Sequence, residues 1–297
     1  MRRAYDQLEA AGIIVRRRPH GTCVADTFRA HTGPLESVGL ITTLPHEFSG
    51  RFVAAVSRCC RELDALLVLG IPEPDTGPQQ LEIAVRMATR GVKDLIVWGA
   101  DRNFDFRVFE RLRILGVNLV FFDQVLPGDF ADYVGLDNRA AIRALLAKAK
   151  ADGAERMIFV NYSDLDVDTN AERQQAFEAC LAETGCRGEV RLLSRGASVA
   201  ECRLFAAELA AAGAEAPSAV IGVNAPVLQM LFRHPVAGLG LYCVDHVPQL
   251  AELGAVGLRQ PIGAMAEAAV RALQEQRKKG GKWRAGVRRF AGELVEP

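Results

Sequence analysis

The sequence predicts an α/β protein made of two similar parallel-sheet lobes in tandem, preceded by a small helix-and-hairpin unit. Three observations carry that prediction. From Val38 onward, short apolar runs alternate with helix-compatible segments of about 12–18 residues, the pattern of strands covered on both faces by helices. The alternation restarts after Gly153 with four more runs of the same kind. Ahead of Val38, the stretch Asp26–Ser37 is polar, contains Gly33-Pro34 and has no period, so it reads as a linker.

Taken in order, Ala4, Leu8 and Ala11 at helical spacing, with Gly12 as a stop, predict an amphipathic helix over residues 1–12. Ile13–Val15 and Thr22–Val24 are short β-runs around a basic turn, Arg16-Arg-Arg-Pro-His-Gly21. The strands expected in the first lobe are Val38–Thr43, Ala65–Leu69, Leu95–Trp98, Val117–Phe122 and Tyr133–Leu136. Those of the second are Met157–Val160, Glu189–Leu193, Ala219–Val223 and Leu239–Cys243. A late strand, Ala255–Arg259, and a helix, Ile262–Gln276, are expected to return to the first lobe, leaving Gly286–Val295 to finish the second. The resulting division is residues 1–26, a linker at 27–37, and a large domain at 38–297. Within that domain, lobe one spans about 38–152 plus 254–279, and lobe two about 153–250 plus 282–297.

Composition restricts the function classes. The 297 residues carry 49% hydrophobic and 24% charged side chains, ordinary for a soluble globular chain with ample core. Formal net charge is zero, so no global field favours nucleic acid or membrane. The distribution is uneven, however. Ahead of Ala30, six arginines stand against Asp6, Glu9 and Asp26, leaving that end at +3. Seven cysteines without a C-x-x-C pair suit a reducing compartment. The N-terminus has no apolar leader, and no apolar stretch approaches the roughly 18 residues of a membrane span, so a cytoplasmic location is expected.

Helix, strand and basic hairpin in succession make up the back half of a winged helix. Met1-Arg2-Arg3-Ala4, Leu8, Gly12-Ile13-Ile14 and Gly21-Thr22-Cys23-Val24 resemble the recognition helix and wing of the GntR family of bacterial transcription factors. The resemblance covers about 25 residues, and the two helices that precede this part in that family have no counterpart in the sequence. It implies a partial DNA-binding domain in which Arg2, Arg3, Arg16, Arg17, Arg18 and His20 meet operator DNA. With the preceding helices missing, weak and sequence-indifferent binding is expected of the chain as it stands.

In open parallel sheets, ligands lie beyond the carboxyl ends of the strands. Two such lobes facing each other would place Phe48, Asp123, Asp137, Arg173, Asn224 and Asp245 around one cleft, because each follows an expected strand directly or through a loop. The motifs Val134-Gly-Leu-Asp137-Asn138, Arg173-x-x-x-Phe177, Ala219-Val-Ile-Gly-Val-Asn224, Cys243-Val-Asp245 and Gly257-Leu-Arg-Gln260-Pro261 resemble the LacI/GalR effector domain, which shares its fold with periplasmic sugar-binding proteins. The resemblance runs from about Val38 to Val295 and places Asp137, Arg173, Asn224 and Asp245 on ligand-contacting positions. A GntR-type reader joined to such a sensor resembles regulators of the arabinose-repressor type. That implies a small-molecule effector, expected to be a carbohydrate, together with operator DNA and a homodimer. The sequence departs from the pattern at Asn224-Ala225, where the family has Asn-Asp, and in the short segment from Asn224 to Asp245.

Each candidate also has a structural alternative. Asp137 and Asn224 can cap helices, Arg173 can pair with Asp166 or Glu172, and Asp245 can close a turn with His246. Phe48 and Asp123 can be core or lobe-interface residues. Asp164-x-Asp166-x-Asp168-x-Asn170 resembles the opening of a calcium loop, but Thr169 and Gln175 stand where that loop needs glycine and a bidentate glutamate. No metal or other cofactor is therefore expected, and Thr169 is assigned to the mouth of the cleft. Gly238-Leu-Gly240 lacks a third glycine, and no P-loop, G-x-S-x-G or H-E-x-x-H occurs, so no catalytic activity is expected. The alternative reading is a solute-binding or orphan sensor protein with no DNA role.

Overall fold

Among the described residues, apolar runs become strands and the segments between them become helices, in two sheets of six strands each plus one hairpin. The computed structural model describes residues 2–10, 14–17, 21–24, 33–42, 47–73, 76–100 and 105–297, with the side chains of Arg2, Arg17 and Val24 left aside. The chain forms two compact units, residues 1–134 with 262–288, and residues 135–261 with 289–297.

At the N-terminus, α1 (Arg2–Ala10) precedes an antiparallel hairpin of β1 (Ile14–Arg17) and β2 (Gly21–Val24), in which Ile14 lies opposite Val24. A helix and a hairpin are thus present, and α1 leaves Tyr5 46% and Leu8 39% exposed. Arg18 and His20 lie outside the described residues, and Arg3 is exposed on α1. Arg16 is committed locally: its guanidinium pairs with Asp6 at 2.5 Å and with Glu9 at 3.2 Å, and these carboxylates raise its pKa further.

In the first unit, β3 (Ser37–Ile41), α2 (Glu47–Glu62), β4 (Leu66–Gly70), α3 (Gly77–Thr89), β5 (Asp94–Trp98), α4 (Phe106–Ile114), β6 (Asn118–Phe122) and β7 (Asp132–Leu136) follow in turn. Strands β5 and β6 are wholly buried, as a two-sided parallel sheet requires. Gly39 in β3 lets the layers close, since a Cβ there would lie 2.5 Å from a methyl of Leu95. α10 (Ile262–Lys279) lies against this sheet, and β13 (Val287–Phe290) completes the order β13-β7-β6-β5-β3-β4.

The second unit contains α5 (Asn138–Ala151), β8 (Arg156–Tyr162), α6 (Asp168–Thr184), β9 (Arg187–Leu193), α7 (Val199–Glu215), β10 (Ser218–Gly222), α8 (Ala225–Leu231), β11 (Leu239–Cys243), α9 (Pro248–Ala251), β12 (Val256–Arg259) and β14 (Glu293–Val295). Its strand order is β14-β12-β11-β10-β8-β9, parallel except for β14 against β12. Among the described residues, no helix is long and apolar enough to cross a membrane.

Three segments lie elsewhere than expected. The strand at Val256–Arg259 joins the second sheet rather than the first, pairing with β11 and burying Val256 and Leu258 in that core. The segment Gly286–Val295 is divided: β13 joins the first sheet and β14 the second. Asp132 holds β13 by accepting from the Gly286 N–H at 2.8 Å and from the Trp283 indole at 3.1 Å. Residues 138–151 belong to the second unit, because Ala141, Ile142, Leu145, Leu146 and Ala149 form one apolar stripe in its core. The expected return of the helix from Ile262 to the first unit has a clear anchor in Gln276. That side chain, 1% exposed, accepts from Leu119 N–H and donates to Leu119 C=O and Asp132.

Candidate functional site

Four neighbouring strands of the second sheet, β12, β11, β10 and β8, end beside one another, and a polar residue stands at or just after each end. Gln260 follows β12, Asp245 follows β11, Asn224 follows β10, and Asn161-Tyr162 closes β8. Parallel order brings these carboxyl ends to one side of the sheet, where side chains can converge. Gly257 makes room for the convergence: a Cβ there would lie 2.8 Å from the Asp245 carbonyl oxygen.

Asp245 acts as a brace. Its Oδ2 accepts from the Ala225 backbone N–H at 2.8 Å, and its Oδ1 accepts from Gln260 Nε2 at 2.9 Å. It therefore holds the first turn of α8, where Pro226 has no N–H of its own to be satisfied. Asn224 caps the same helix, accepting from Val227 N–H at 3.2 Å and from the Tyr162 hydroxyl at 3.2 Å. Burial keeps the Tyr162 phenol protonated far above the usual tyrosine range, so it acts here as a donor. The expected turn between Asp245 and His246 is replaced by these longer-range bonds.

Arg173 lies on α6 and is 4% exposed. Its Nε donates to Asn138 Oδ1 at 2.8 Å and one terminal nitrogen to the Val223 carbonyl at 2.9 Å. The expected alternative, an ion pair with Asp166 or Glu172, is not what it makes. Glu172 instead accepts from Asn138 at 2.7 Å and binds Arg289 through both oxygens, at 2.9 and 2.6 Å. Arg173 is thus a buried cation held by neutral acceptors, and its other terminal nitrogen has no protein partner among the described residues. The Gln260 Oε1 is likewise buried without a partner, as is the amide nitrogen of Asn170 on α6.

Asp137 caps α5 by accepting from Ala140 N–H at 2.9 Å, and it lines a groove of about 460 Å³ with Arg139, Glu172, Gln175 and Arg289. Thr169 is 2% exposed, so it is an interior residue of α6 rather than an open rim. Asp164 is bonded within its own loop region: it accepts from the Ser194 hydroxyl and the Arg195 N–H, both at 2.9 Å. Those bonds hold its carboxyl below the ordinary aspartate range.

The two remaining candidates belong to the first unit. Phe48 sits in an aromatic cluster, edge-on to Trp98 at 5.3 Å and stacked near Phe122 at 6.4 Å. Asp123 directly follows β6 with φ of 60°, a left-handed conformation that is uncommon outside glycine, and its carbonyl accepts from the Tyr133 hydroxyl at 2.6 Å.

Sequence reasoning missed Asn138, Gln260 and Tyr162 as members of the network. The available signal was position, joined for Asn138 and Gln260 by their place in the quoted motifs: Gln260 directly follows a strand, Asn138 opens a helix, and Tyr162 closes a strand.

No family model matches the chain, and no curated protein matches its sequence. Solved structures do share its fold. A LacI transcriptional regulator from a Rhodococcus species is 18% identical, with 88% of this chain and 96% of that one covered at a TM-score of 0.70. The Caulobacter myo-inositol binding protein, bound to myo-inositol, is 15% identical over 90% of this chain and 94% of its own, at 0.71. An ABC transporter solute binding protein from Burkholderia graminis, in complex with D-arabinose, is 15% identical over 88% and 94%, at 0.72. The chain therefore has the α/β fold of two parallel-sheet lobes found in periplasmic-binding-protein-like structures, a group that includes LacI-type regulators and sugar-binding proteins.

Proposed function

We propose that this chain is an effector-responsive transcriptional regulator whose domain at residues 38–297 binds a sugar or sugar derivative. The observation that carries this reading is the unspent hydrogen-bonding capacity of the second unit's polar network. Arg173 retains a terminal nitrogen to donate, and Gln260 retains a buried acceptor. Both stand among side chains already fixed by Asn138, Asp245 and Asn224. A polyol presents hydroxyls that donate and accept at once, and a rigid set of amide, guanidinium and carboxylate groups selects it. Phe48 is the first unit's aromatic candidate for the C–H face of the sugar, with Asp123 as a further acceptor. The fold shared with sugar-bound proteins supports the same ligand class.

The segment at 1–26, joined by the linker at 27–37, is proposed as the GntR-type DNA-reading part, with Arg2, Arg3, Arg16, Arg17, Arg18 and His20 toward phosphates. Coupling between effector and DNA then amounts to the effector's differential affinity for two states, of order 1–3 kcal/mol. Calorimetry against pentoses, hexoses, cyclitols, sugar acids and sugar phosphates tests the reading. A saturable response to a member of this panel, weakened by about 2–4 kcal/mol in Arg173→Ala, is expected. Binding of a nucleobase or amino acid with no sugar response would overturn it.

A further inference from the structure

Asp94 and Asn118 open β5 and β6 and lie opposite each other in register. They mark the amino ends of the first sheet, away from the carboxyl ends where an effector is expected. A cavity of about 230 Å³ lies there, lined from α4 by Arg113 and Ile114, and from α10 and the turn after it by Gln276, Arg277, Gly280 and Gly281. Pockets for drug-sized ligands run to roughly 300–1,000 Å³, so this one suits a smaller molecule.

Arg113 is half-buried and only partly bonded. One terminal nitrogen donates to Asn118 Oδ1 at 2.7 Å, to Gln276 Oε1 at 2.9 Å and to the Val117 carbonyl at 3.3 Å. All three are neutral oxygens. The guanidinium lies over the Trp283 ring, 4.2 Å from its centroid. Its Nε and its other terminal nitrogen have no protein acceptor among the described residues.

The carboxylates at this end are already committed. Asp94 is bonded to Arg277 and Asn118, and Asp132 to Gln276, the Trp283 indole and the Gly286 N–H. Burial lowers the Arg113 pKa although both carboxylates act to raise it. What this guanidinium lacks is a negative partner of its own.

The surroundings add to that demand. Arg277-Lys-Lys-Gly-Gly-Lys-Trp-Arg284 carries five cations and no acid, and Arg111 stands in the last turn of α4. Part of this charge answers the negative ends of the two helices. Arg113 differs in lining the cavity with donors still to give.

We propose that this cavity binds a small phosphate-type oxyanion, either inorganic phosphate or the phosphoryl group of a small metabolite. A tetrahedral oxyanion accepts from Nε and the second terminal nitrogen together, the fork that a guanidinium offers. Ile114, 64% exposed, gives the remainder of a phosphorylated molecule an aliphatic wall. Arg277, on the same cavity, also donates to the carbonyls of Gly33 and Pro34. The site therefore adjoins the segment that leads to the N-terminal helix and hairpin.

This inference is independent of the effector reading. Titration of the whole chain with sodium phosphate and with glycerol 3-phosphate at fixed ionic strength tests it, with sodium chloride and glycerol as controls. Calorimetry reads the affinity, and the amide resonances of Gly280 and Gly281 report the place. Saturable binding of both phosphates, with shifts at these two amides, is expected. A Cβ at Gly281 would meet nothing within 4 Å, so Gly281→Asp adds a carboxylate without a clash and should abolish the binding. Arg113→Gln should weaken it at least about tenfold. Arg173→Ala should leave it unchanged. No saturable response overturns the proposal, as does a response equal to that of chloride or one that persists in Gly281→Asp. Shifts at Gly280 and Gly281 with duplex DNA but with neither phosphate would assign this face to nucleic acid and overturn it too. A sugar response without a phosphate response would sink only this proposal and leave the effector reading intact.

Discussion

The guanidinium of Arg173 and the side-chain oxygen of Asn138 are 2.8 Å apart and buried, and no carboxylate among the described residues pairs with that cation. A buried charge held only by neutral acceptors is costly unless every bond is made. Arg173→Ala removes the charge but leaves Asn138 Oδ1 and the Val223 carbonyl short of a donor. We expect a loss of about 2–4 kcal/mol in urea unfolding, and a loss of similar size in effector affinity. Arg173→Lys should recover part of the stability but not the affinity, since an ammonium cannot serve three directions from one plane. Equal affinity in wild type and Arg173→Ala would remove Arg173 from the site.

Asp245 and Gln260 form one unit through their 2.9 Å bond. Asp245→Ala frees Gln260 and leaves the Ala225 N–H unpaired, so it should destabilise by about 1–3 kcal/mol. Gln260→Ala should cost about 1 kcal/mol, because Asp245 keeps its bond to Ala225. The double variant should fall short of the sum by about 0.5–1 kcal/mol. Additive losses in denaturant melts would show the two side chains acting separately.

Much of the fold was legible because apolar runs are a local signal. Leu239–Cys243 was read with the same ends that β11 has, and the other strands differ by one to two residues at most ends. Sheet membership was not local. Whether β12 and β13 join one sheet or the other depends on contacts such as Gln276 to Leu119 and Asp132, which span 157 and 144 residues. The site shows the same division. Residues just past a strand could be singled out by position, yet Asn138 meets Arg173 across 35 residues and Tyr162 meets Asn224 across 62. The local sequence does not show which distant side chain a helix-opening asparagine or a strand-end tyrosine will meet.

Asp164 provides a pH-dependent test. The Arg195 N–H, followed by the Ser194 hydroxyl, holds its carboxyl below the ordinary value, so the folded state binds this proton less readily than the unfolded chain. The contribution to stability is therefore complete above the ordinary aspartate pKa of about 3.9 and is lost as pH falls through the lower folded value. Asp164 is exposed, so solvent screening makes the effect small. In melts taken from neutral to acid pH, Asp164→Asn should flatten the acid-side decline slightly and destabilise the protein at neutral pH. A variant with an unchanged acid slope would show that the loop bonds do not persist in solution.

Arg277 joins the first sheet to the residues that lead into it. Its Nε and one terminal nitrogen donate to a single oxygen of Asp94, at 2.9 and 2.6 Å, and the other terminal nitrogen reaches the carbonyls of Gly33 and Pro34 at 3.1 and 2.6 Å. Asp94 opens β5, its side chain fully buried, and its second oxygen accepts from Asn118 at 2.8 Å. Removing only the cation leaves a buried carboxylate facing one amide, which is the expensive way to break such a pair. Arg277→Met should therefore destabilise by about 3–5 kcal/mol. The double change Arg277→Met with Asp94→Asn should be milder, because a neutral amide can remain bonded to Asn118 without its charge partner. The two linker carbonyls lose their donor in both variants, so amides near Gly33 and Pro34 should exchange faster in each. Chemical denaturation of the two variants beside the unmutated chain decides the matter. If the single variant proves as stable as the double, the Asp94–Arg277 pair is not what holds this end of the sheet.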